Sequence, residues 1–209
     1  MVSKRIRAMK PSATSALAGR VLALKASGAE IAAFNVGEPD FPTPAPIVEA
    51  YAMTGWRIGY AAGPEDVVRG MVSLQGHCTS NITTFVQWAA LTALQECDDS
   101  VEAMRQEFER RREYMYERLA RIPGLPCPKP EGAFYLMPDV SSYYGKSFGN
   151  WRAENAEDLC DYLLRAARIA IVPGGAFEAP NCVRISYSAS METIRAGMDQ
   201  MEQALEQLA

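Results

Sequence analysis

Two arginines lie in sequence contexts that could bind an anion. Arg184 stands in the run Val183 to Tyr187, whose alternation of apolar and polar side chains predicts a half-buried strand. A guanidinium among apolar neighbours needs an anionic partner, and its parallel N–H groups fit a carboxylate in bidentate geometry. The sequence leaves two partners open for Arg184: an internal Asp or Glu, or a bound ligand.

Arg57 lies in a glycine-containing run, Thr54 to Gly63, where the glycines would let another group approach the backbone closely. We expect a buried arginine at the mouth of a short strand, 58–62. Gly37 opens a proline-rich stretch, and without a Cβ atom its backbone N–H can come close to a ligand oxygen. A plain proline-rich turn is the alternative interpretation of that stretch.

Four short motifs follow one another along the chain. They are NVGEPDF at 35–41, TGWRIGYAAGP at 54–64, VPGGAF at 172–177 and VRISYS at 183–188. In this order they resemble the class I pyridoxal-phosphate aminotransferases of the aspartate and aromatic type. The resemblance implies amino-group transfer between an amino acid and a 2-oxo acid with pyridoxal 5'-phosphate as cofactor. It also implies that Arg57 holds the cofactor phosphate, and that Arg184 and the Gly37 backbone hold the substrate carboxylate.

The chain departs from the family pattern at the reactive lysine. In the family this Schiff-base lysine stands eight residues before the arginine of the TGWR motif, and that position here is Glu49. The motifs of the large cofactor domain are absent between Pro46 and Tyr51. We therefore assign no catalytic residue and expect the shortened chain to be inactive alone. Lys146 lies in a stretch that resembles a surface loop of the family's small domain.

The resemblance predicts an α/β fold, the aminotransferase small (C-terminal) domain with an N-terminal arm, lacking most of the large PLP-binding domain. The predicted divisions are 1–50 for the arm, a helix and the GEPDF segment, 51–63 for a remnant strand of the cofactor domain, and 64–209 for connecting helices and the small domain. Strands at 131–137, 169–172 and 183–187, near Phe134, Ile171 and Ile185, should form one small sheet. The strand at 58–62 lies in the large sheet in the family, so we expect it here to be exposed, paired with a partner chain or poorly ordered. Asn155 and Ser190 have the side chains and positions of helix N-caps.

The composition favours small-molecule ligands. The chain has 209 residues, of which 48% are hydrophobic, and a net charge of −4, so no nucleic-acid or membrane partner is indicated. The arginines at 110–112 are interpreted as the exposed face of a long helix that begins near Asp98. The basic first 29 residues fit an organelle transit peptide or an arm followed by a folded helix.

The cysteines and the single histidine indicate no metal centre. Five widely spaced cysteines without a Cys-x-x-Cys pair are expected to be reduced core thiols, in keeping with a cytoplasmic location. His77 is interpreted as structural, and we expect no metal. Two hypotheses remain: an aminotransferase in shortened form, or a non-catalytic small-domain module. In either case we expect a homo-oligomer, because family members are dimers.

Overall fold

The structure is a computed structural model that describes residues 13–35 and 51–208. The chain divides into two compact units, a first unit of Met1–Gly37 with Phe108–Ala209 and a second unit of Glu38–Glu107. The divisions at 50 and 63 that the sequence suggested concern the domains of the family, and they stay a prediction.

The described helices are α1 (Ala13–Ala26), α2 (Glu65–Cys78), α3 (Thr84–Glu96), α4 (Asp98–Arg121), α5 (Ala156–Ala166) and α6 (Met191–Glu206). None of these is long and apolar enough to cross a membrane. The two predicted caps are confirmed. The Asn155 side chain accepts a hydrogen bond from the Asp158 N–H at 2.9 Å, and the Ser190 hydroxyl accepts one from the Thr193 N–H at 3.2 Å. Each cap satisfies an N–H group that the first turn of its helix leaves unpaired.

The described strands all belong to the first unit. They are β1 (Ala32–Ala33), β2 (Tyr135–Leu136), β3 (Ser147–Phe148), β4 (Trp151–Arg152), β5 (Ile169–Ala170), β6 (Val172–Pro173) and β7 (Val183–Ser186). An antiparallel sheet has the order β2-β7-β6, β1 pairs in parallel with β5, and β3 and β4 form a hairpin. The prediction that strands near Phe134, Ile171 and Ile185 share one sheet is therefore confirmed.

Two predicted strands are shorter than expected. The stretch 131–137 is a strand only at Tyr135–Leu136, because Ala133 has a φ of 58°, which breaks the extended conformation. The apolar run 169–172 divides at Ile171, since β5 pairs with β1 whereas β6 pairs with β7. The partner strands, which the local pattern does not reveal, decide the second of these boundaries.

The core of the first unit brings one face of each neighbouring helix onto these strands. Its fully buried members include Phe34, Met115, Leu119, Leu136, Leu159, Leu163, Ile171, Ile185, Ile194 and Met198. Burial of each such side chain contributes about 1.5 to 3 kcal/mol to folding. Helix α6 approaches β1 closely at Gly197, where an added Cβ would lie 2.4 Å from Cζ of Phe34.

The second unit contains a 3-10 turn, Thr54–Trp56, followed by α2 and α3. The predicted strand at 58–62 is wrong, since no strand is formed there and Gly59, Tyr60, Ala61 and Ala62 are exposed. A strand needs a neighbour for its backbone hydrogen bonds, and the described part of this unit contains none. The exposure agrees with our expectation that this segment lacks its family partner.

Large apolar side chains on α2 and α3 are exposed. They are Val67, Met71, Val72 and Leu74 on α2, and Phe85, Trp88, Leu91 and Leu94 on α3, each 42 to 67% accessible. We call these eight residues the apolar α2/α3 surface. Exposed apolar area of this extent on a globular domain usually marks an interaction surface.

Two further expectations are corrected. Arg111 is only 4% exposed and its guanidinium lies 5.7 Å from the Phe108 ring centroid, so it does not belong to a solvated face. Cys78 is exposed, whereas Cys97 and Cys160 are buried as core thiols. A side chain at one position of a long helix can turn towards the core, which charge counting along the sequence does not show.

Candidate anion-binding site

Strand β7 presents Arg184 on the face opposite to its core residues. Val183 and Ile185 are fully buried on one side, and Arg184 points to the other. Its guanidinium carbon lies 4.3 Å from the centroid of the Tyr135 ring and 4.4 Å from that of the Phe177 ring. Both distances suit cation–π contact, so the two rings hold the guanidinium from two directions.

Each ring is held by the fold. Tyr135 belongs to β2 and pairs with Ser186 of β7. The Tyr187 hydroxyl donates a hydrogen bond to the Ala133 carbonyl at 2.8 Å, which fixes the backbone before that strand. Burial raises the pKa of Tyr187, with Arg112 opposing and Glu113 adding to the shift, so this hydroxyl keeps its proton at neutral pH.

Phe177 ends a 3-10 turn, Gly174–Phe177, that folds against the chain before β7. The Gly174 N–H donates to the Cys182 carbonyl at 2.8 Å, and its carbonyl accepts from the Ala179 N–H at 3.1 Å. A Cβ at Gly174 would lie 2.2 Å from the Ala179 carbonyl oxygen, so only glycine fits. The glycine of the VPGGAF motif therefore allows the turn that carries Phe177 to Arg184.

The backbone after β1 brings Asn35 to Arg184. The Phe34 N–H donates to the Ala170 carbonyl and the Phe34 carbonyl accepts from the Ser186 N–H, both at 2.9 Å. The next residue, Asn35, is fully buried, and its carbonyl oxygen lies 3.5 Å from Nη2 of Arg184. This distance is at the outer limit of a hydrogen bond and indicates a weak contact.

Three buried polar atoms at this place have no partner in the described structure. They are Nδ2 and Oδ1 of Asn35 and Nε of Arg184. Within residues 13–35 and 51–208, no carboxylate pairs with Arg184. The internal Asp or Glu that the sequence left open as its partner is therefore not found there. Unpaired buried groups cost about 1 to 3 kcal/mol each, so their presence here is typical of a binding site.

Arg57 lies in the second unit and is exposed, which corrects the expectation of a buried side chain at a strand. Its backbone is left-handed, with φ of 54°, and its Nη1 donates to the Thr54 carbonyl at 3.2 Å. It lies at a groove of about 860 Å³ whose apolar lining includes Val68, Met71 and Ile82. The described residues give it no carboxylate partner, so the guanidinium is available to an anion.

The remaining predicted site residues contribute less. Gly37 and Glu49 lie outside the described residues. Lys146 belongs to a loop, where its Nζ lies 4.8 Å from the Tyr143 ring centroid. No cluster of His, Cys, Asp and Glu suited to a metal ion occurs in the described ranges.

Asn35 is the site residue that sequence reasoning missed. It ends the apolar run that begins at Ile31 and directly precedes Val36 and Gly37, and a polar residue there was a usable signal. Its burial depends on pairing with strands more than 130 residues away in sequence, which no local pattern shows. The arrangement can bind a carboxylate.

Comparison with known proteins gives consistent matches. A family model described as aminotransferase class I and II matches residues 49–206. The probable aspartate/prephenate aminotransferase of Aquifex aeolicus is 44% identical over 162 residues, which are 77% of this chain and 40% of that protein. The aspartate aminotransferase of Geobacillus stearothermophilus is 39% identical, with the same coverage. The chain thus spans about two fifths of the length of these curated relatives.

Solved structures agree with this assignment. The aspartate aminotransferase of Rhizobium meliloti superposes with a TM-score of 0.72 at 37% identity, over 77% of this chain and 40% of that one. A Thermus thermophilus aspartate aminotransferase mutant complexed with tryptophan gives a TM-score of 0.86 over 98% of this chain and 99% of that chain. At 20% identity the second match shows the fold alone. The expected α/β aminotransferase fold is confirmed.

Proposed function

Because the chain belongs to the class I and II aminotransferase family, we propose that it carries the substrate-carboxylate subsite of an enzyme that moves amino groups between an amino acid and a 2-oxo acid. Aspartate or an aromatic amino acid is the proposed donor, since relatives of both kinds are similar to this chain. Pyridoxal 5'-phosphate is the proposed cofactor. The observation that supports this most directly is Arg184, held between two rings and unpaired by any described carboxylate.

The carboxylate is the group that both substrates share. Arg184 carries a permanent positive charge, and its partly desolvated position makes an added anion more favourable there than on an open surface. The backbone N–H of Gly37 is the proposed second contact, because that residue follows Asn35 by two positions. These groups orient a substrate but move no proton.

The described residues do not fit the cofactor as a whole. When bound, the cofactor supplies an electron sink for the carbanion formed at the substrate Cα. Arg57 could contact its phosphate, but a single exposed guanidinium holds an anion weakly in water. Covalent attachment also needs an amine, and the proposed position carries Glu49, whose carboxylate would repel a phosphate. We propose that this chain alone does not transaminate.

Two measurements test the two halves of this proposal. In the first, the full chain is incubated with pyridoxal 5'-phosphate, reduced with borohydride and digested, and turnover of aspartate with 2-oxoglutarate is followed. We expect neither a stoichiometric pyridoxyl peptide nor turnover. Stoichiometric labelling of one lysine together with turnover would overturn the claim of inactivity, and labelling at Lys146 would also overturn its assignment as a loop residue.

The second measurement is thermal unfolding with maleate as a dicarboxylate probe. At a concentration tenfold above its Kd, maleate should raise the unfolding free energy by about 1.4 kcal/mol. Arg184→Met should abolish this gain while keeping the bulk of the side chain. Arg165→Met is the matched control, because Arg165 is exposed and pairs only with Asp161 among described carboxylates. A gain that survives Arg184→Met would contradict the proposed subsite.

The alternative function is a non-catalytic association module, and the apolar α2/α3 surface favours it. Two such chains could bury this surface against each other, since it carries large side chains such as Trp88 and Phe85 at 66 and 67% exposure. We expect the chain to self-associate at tens of micromolar in sedimentation velocity. Trp88→Glu should shift it towards monomer, whereas Arg69→Glu on the polar side of α2 should not. A monomeric wild-type chain at that concentration would argue against the module.

A further inference from the structure

The unpaired polar atoms of the described structure are concentrated in one place. Among the described residues, the buried side-chain atoms without a hydrogen bond belong to Asn35 and Arg184 alone. The two residues come from distant parts of the chain, yet Nη2 of Arg184 lies 3.5 Å from the backbone carbonyl oxygen of Asn35, which places their unpaired side-chain atoms in the same region. Because buried polar groups are nearly always paired, unpaired atoms in two touching residues indicate a missing third group between or beside them.

The fold supports the backbone at Asn35 and the guanidinium of Arg184. The backbone hydrogen bonds of Phe34 to both Ala170 and Ser186 hold the chain that leads into Asn35. The rings of Tyr135 and Phe177 hold the guanidinium of Arg184. A site whose donors are fixed in advance binds its ligand without a further ordering cost, which is the usual property of a preformed subsite.

The charge balance identifies the missing group as an anion. Arg184 has no described carboxylate partner, and the Asn35 amide is neutral, so the pair carries one uncompensated positive charge. Its free donors are Nε of Arg184 and Nδ2 of Asn35. A carboxylate has about four acceptor positions on two oxygens and can accept from both donors at once.

We propose that Asn35 is a second carboxylate-binding residue, donating from Nδ2 to the carboxylate that Arg184 holds. The inference rests on the proposed function, because it concerns the same subsite. It adds a side-chain donor from the end of β1 to the guanidinium of β7. The amide adds a hydrogen bond to the charge attraction that Arg184 alone would provide.

The proposal makes Asn35 unfavourable for folding and favourable for binding. Asn35→Leu keeps the branched shape of the side chain and removes both unpaired amide atoms, so without ligand its melting midpoint should exceed that of the wild-type chain. Its maleate Kd should be at least tenfold weaker. A residue with a purely structural hydrogen-bonding role would give the opposite change in midpoint, with unchanged affinity.

Asn35→Asp provides the second variant. This variant keeps the shape of the side chain and places a carboxylate beside Arg184. At pH 7 the resulting internal ion pair should compete with maleate, so the maleate Kd should rise tenfold or more. Asn35→Asp with wild-type affinity at pH 7 would show that this side chain does not face the bound anion.

The outcomes separate this inference from the proposed function. If the wild-type chain does not bind maleate, both fail. If it binds, and Arg184→Met abolishes binding while Asn35→Leu leaves the Kd unchanged, the proposed function stands and the role of Asn35 is wrong. A lower melting midpoint of Asn35→Leu without ligand, or its failure to fold, would also overturn the inference, because the amide would then be needed for folding.

Discussion

Replacement of Gly197 by alanine tests how β1 is held against α6. In the structure an added Cβ at Gly197 would lie 2.4 and 2.6 Å from Cζ and Cε2 of Phe34, and 3.1 Å from Cβ of Ala32. Distances below 3.0 Å require the neighbour to move, and the Phe34 ring is fully buried among core residues. Overpacking of this kind costs about 1 to 3 kcal/mol.

Helix propensity acts in the opposite direction. Alanine is favoured over glycine in a helix interior by about 0.8 to 1 kcal/mol. Gly19 in α1 provides the matched control, because it is also a helical glycine of the first unit and has nothing within 4 Å of an added Cβ. Gly19→Ala should therefore stabilise the unit by up to about 1 kcal/mol. The free energy of unfolding of Gly197→Ala should be about 1 to 3 kcal/mol lower than that of this control.

The assay is urea unfolding followed by the fluorescence of Trp151. This residue lies in the first unit and stacks on Tyr162 at 4.5 Å, whereas Trp56 and Trp88 lie in the second unit and are changed to phenylalanine in all samples. Unchanged m values would show that midpoints report stability alone. If Gly197→Ala stabilises the unit as much as the Gly19 control does, the close packing of α6 on β1 is refuted.

A double mutant localises the effect to the ring. Phe34→Leu alone should destabilise by leaving a cavity, but Leu lacks the ring atoms that the new Cβ would meet. The double variant should therefore lose less unfolding free energy than the two single variants lose in total, and the difference, the coupling energy, should be about 0.5 to 3 kcal/mol. Additive effects would place the strain elsewhere. Maleate binding should weaken in Gly197→Ala, because displacement of Phe34 also displaces Asn35.

Two further predictions concern titration and thiol access. Burial raises the pKa of Asp161, but hydrogen bonds from Arg20 and Arg165 outweigh this effect and hold that pKa below its usual 3.8. The ionised carboxylate therefore stabilises the fold fully above pH 3.8, and this stabilisation is lost as the pH falls through the lower pKa of the folded state. In acid unfolding, Arg20→Gln should show less of this loss than the wild-type chain. Burial raises the pKa of the Cys160 thiol, and the nearby carboxylates of Glu157 and Asp161 raise it further. Iodoacetamide at about pH 8 should therefore label the exposed Cys78 of the native chain and leave Cys160 unmodified, as judged by mass spectrometry. Early labelling of Cys160 would contradict the packing of α5.

Features decided by neighbours in sequence were predicted correctly. The caps at Asn155 and Ser190 depend on a side chain and an N–H three residues later, so the local sequence contains the whole interaction. The alternation around Arg184 likewise predicted β7 and its two faces. The substrate-binding role of Arg184 came only from the resemblance to the family and stays a proposal.

Features decided by distant partners were not predictable in this way. The segment 58–62 has the apolar and glycine content of a strand, but without a neighbouring strand its backbone stays irregular and exposed. The run 169–172 has uniform strand character, yet it divides between two partners at Ile171. Arg111 stands among charged residues of α4, but the Phe108 ring and the core of the first unit bury it.

Asn35 shows how a binding residue can be hidden from sequence reasoning. An asparagine at the end of an apolar run is typical of an ordinary turn. Only the fold shows that this residue is fully buried and that its two amide atoms are unpaired in the described structure. Its backbone carbonyl contacts Arg184, which carries a third unpaired atom. A purely structural position would favour an apolar side chain of the same size, because an unpaired buried amide costs stability. The amide is therefore best explained by a carboxylate that completes its hydrogen bonds, and an Asn35→Leu variant that gains stability and loses affinity would support that explanation.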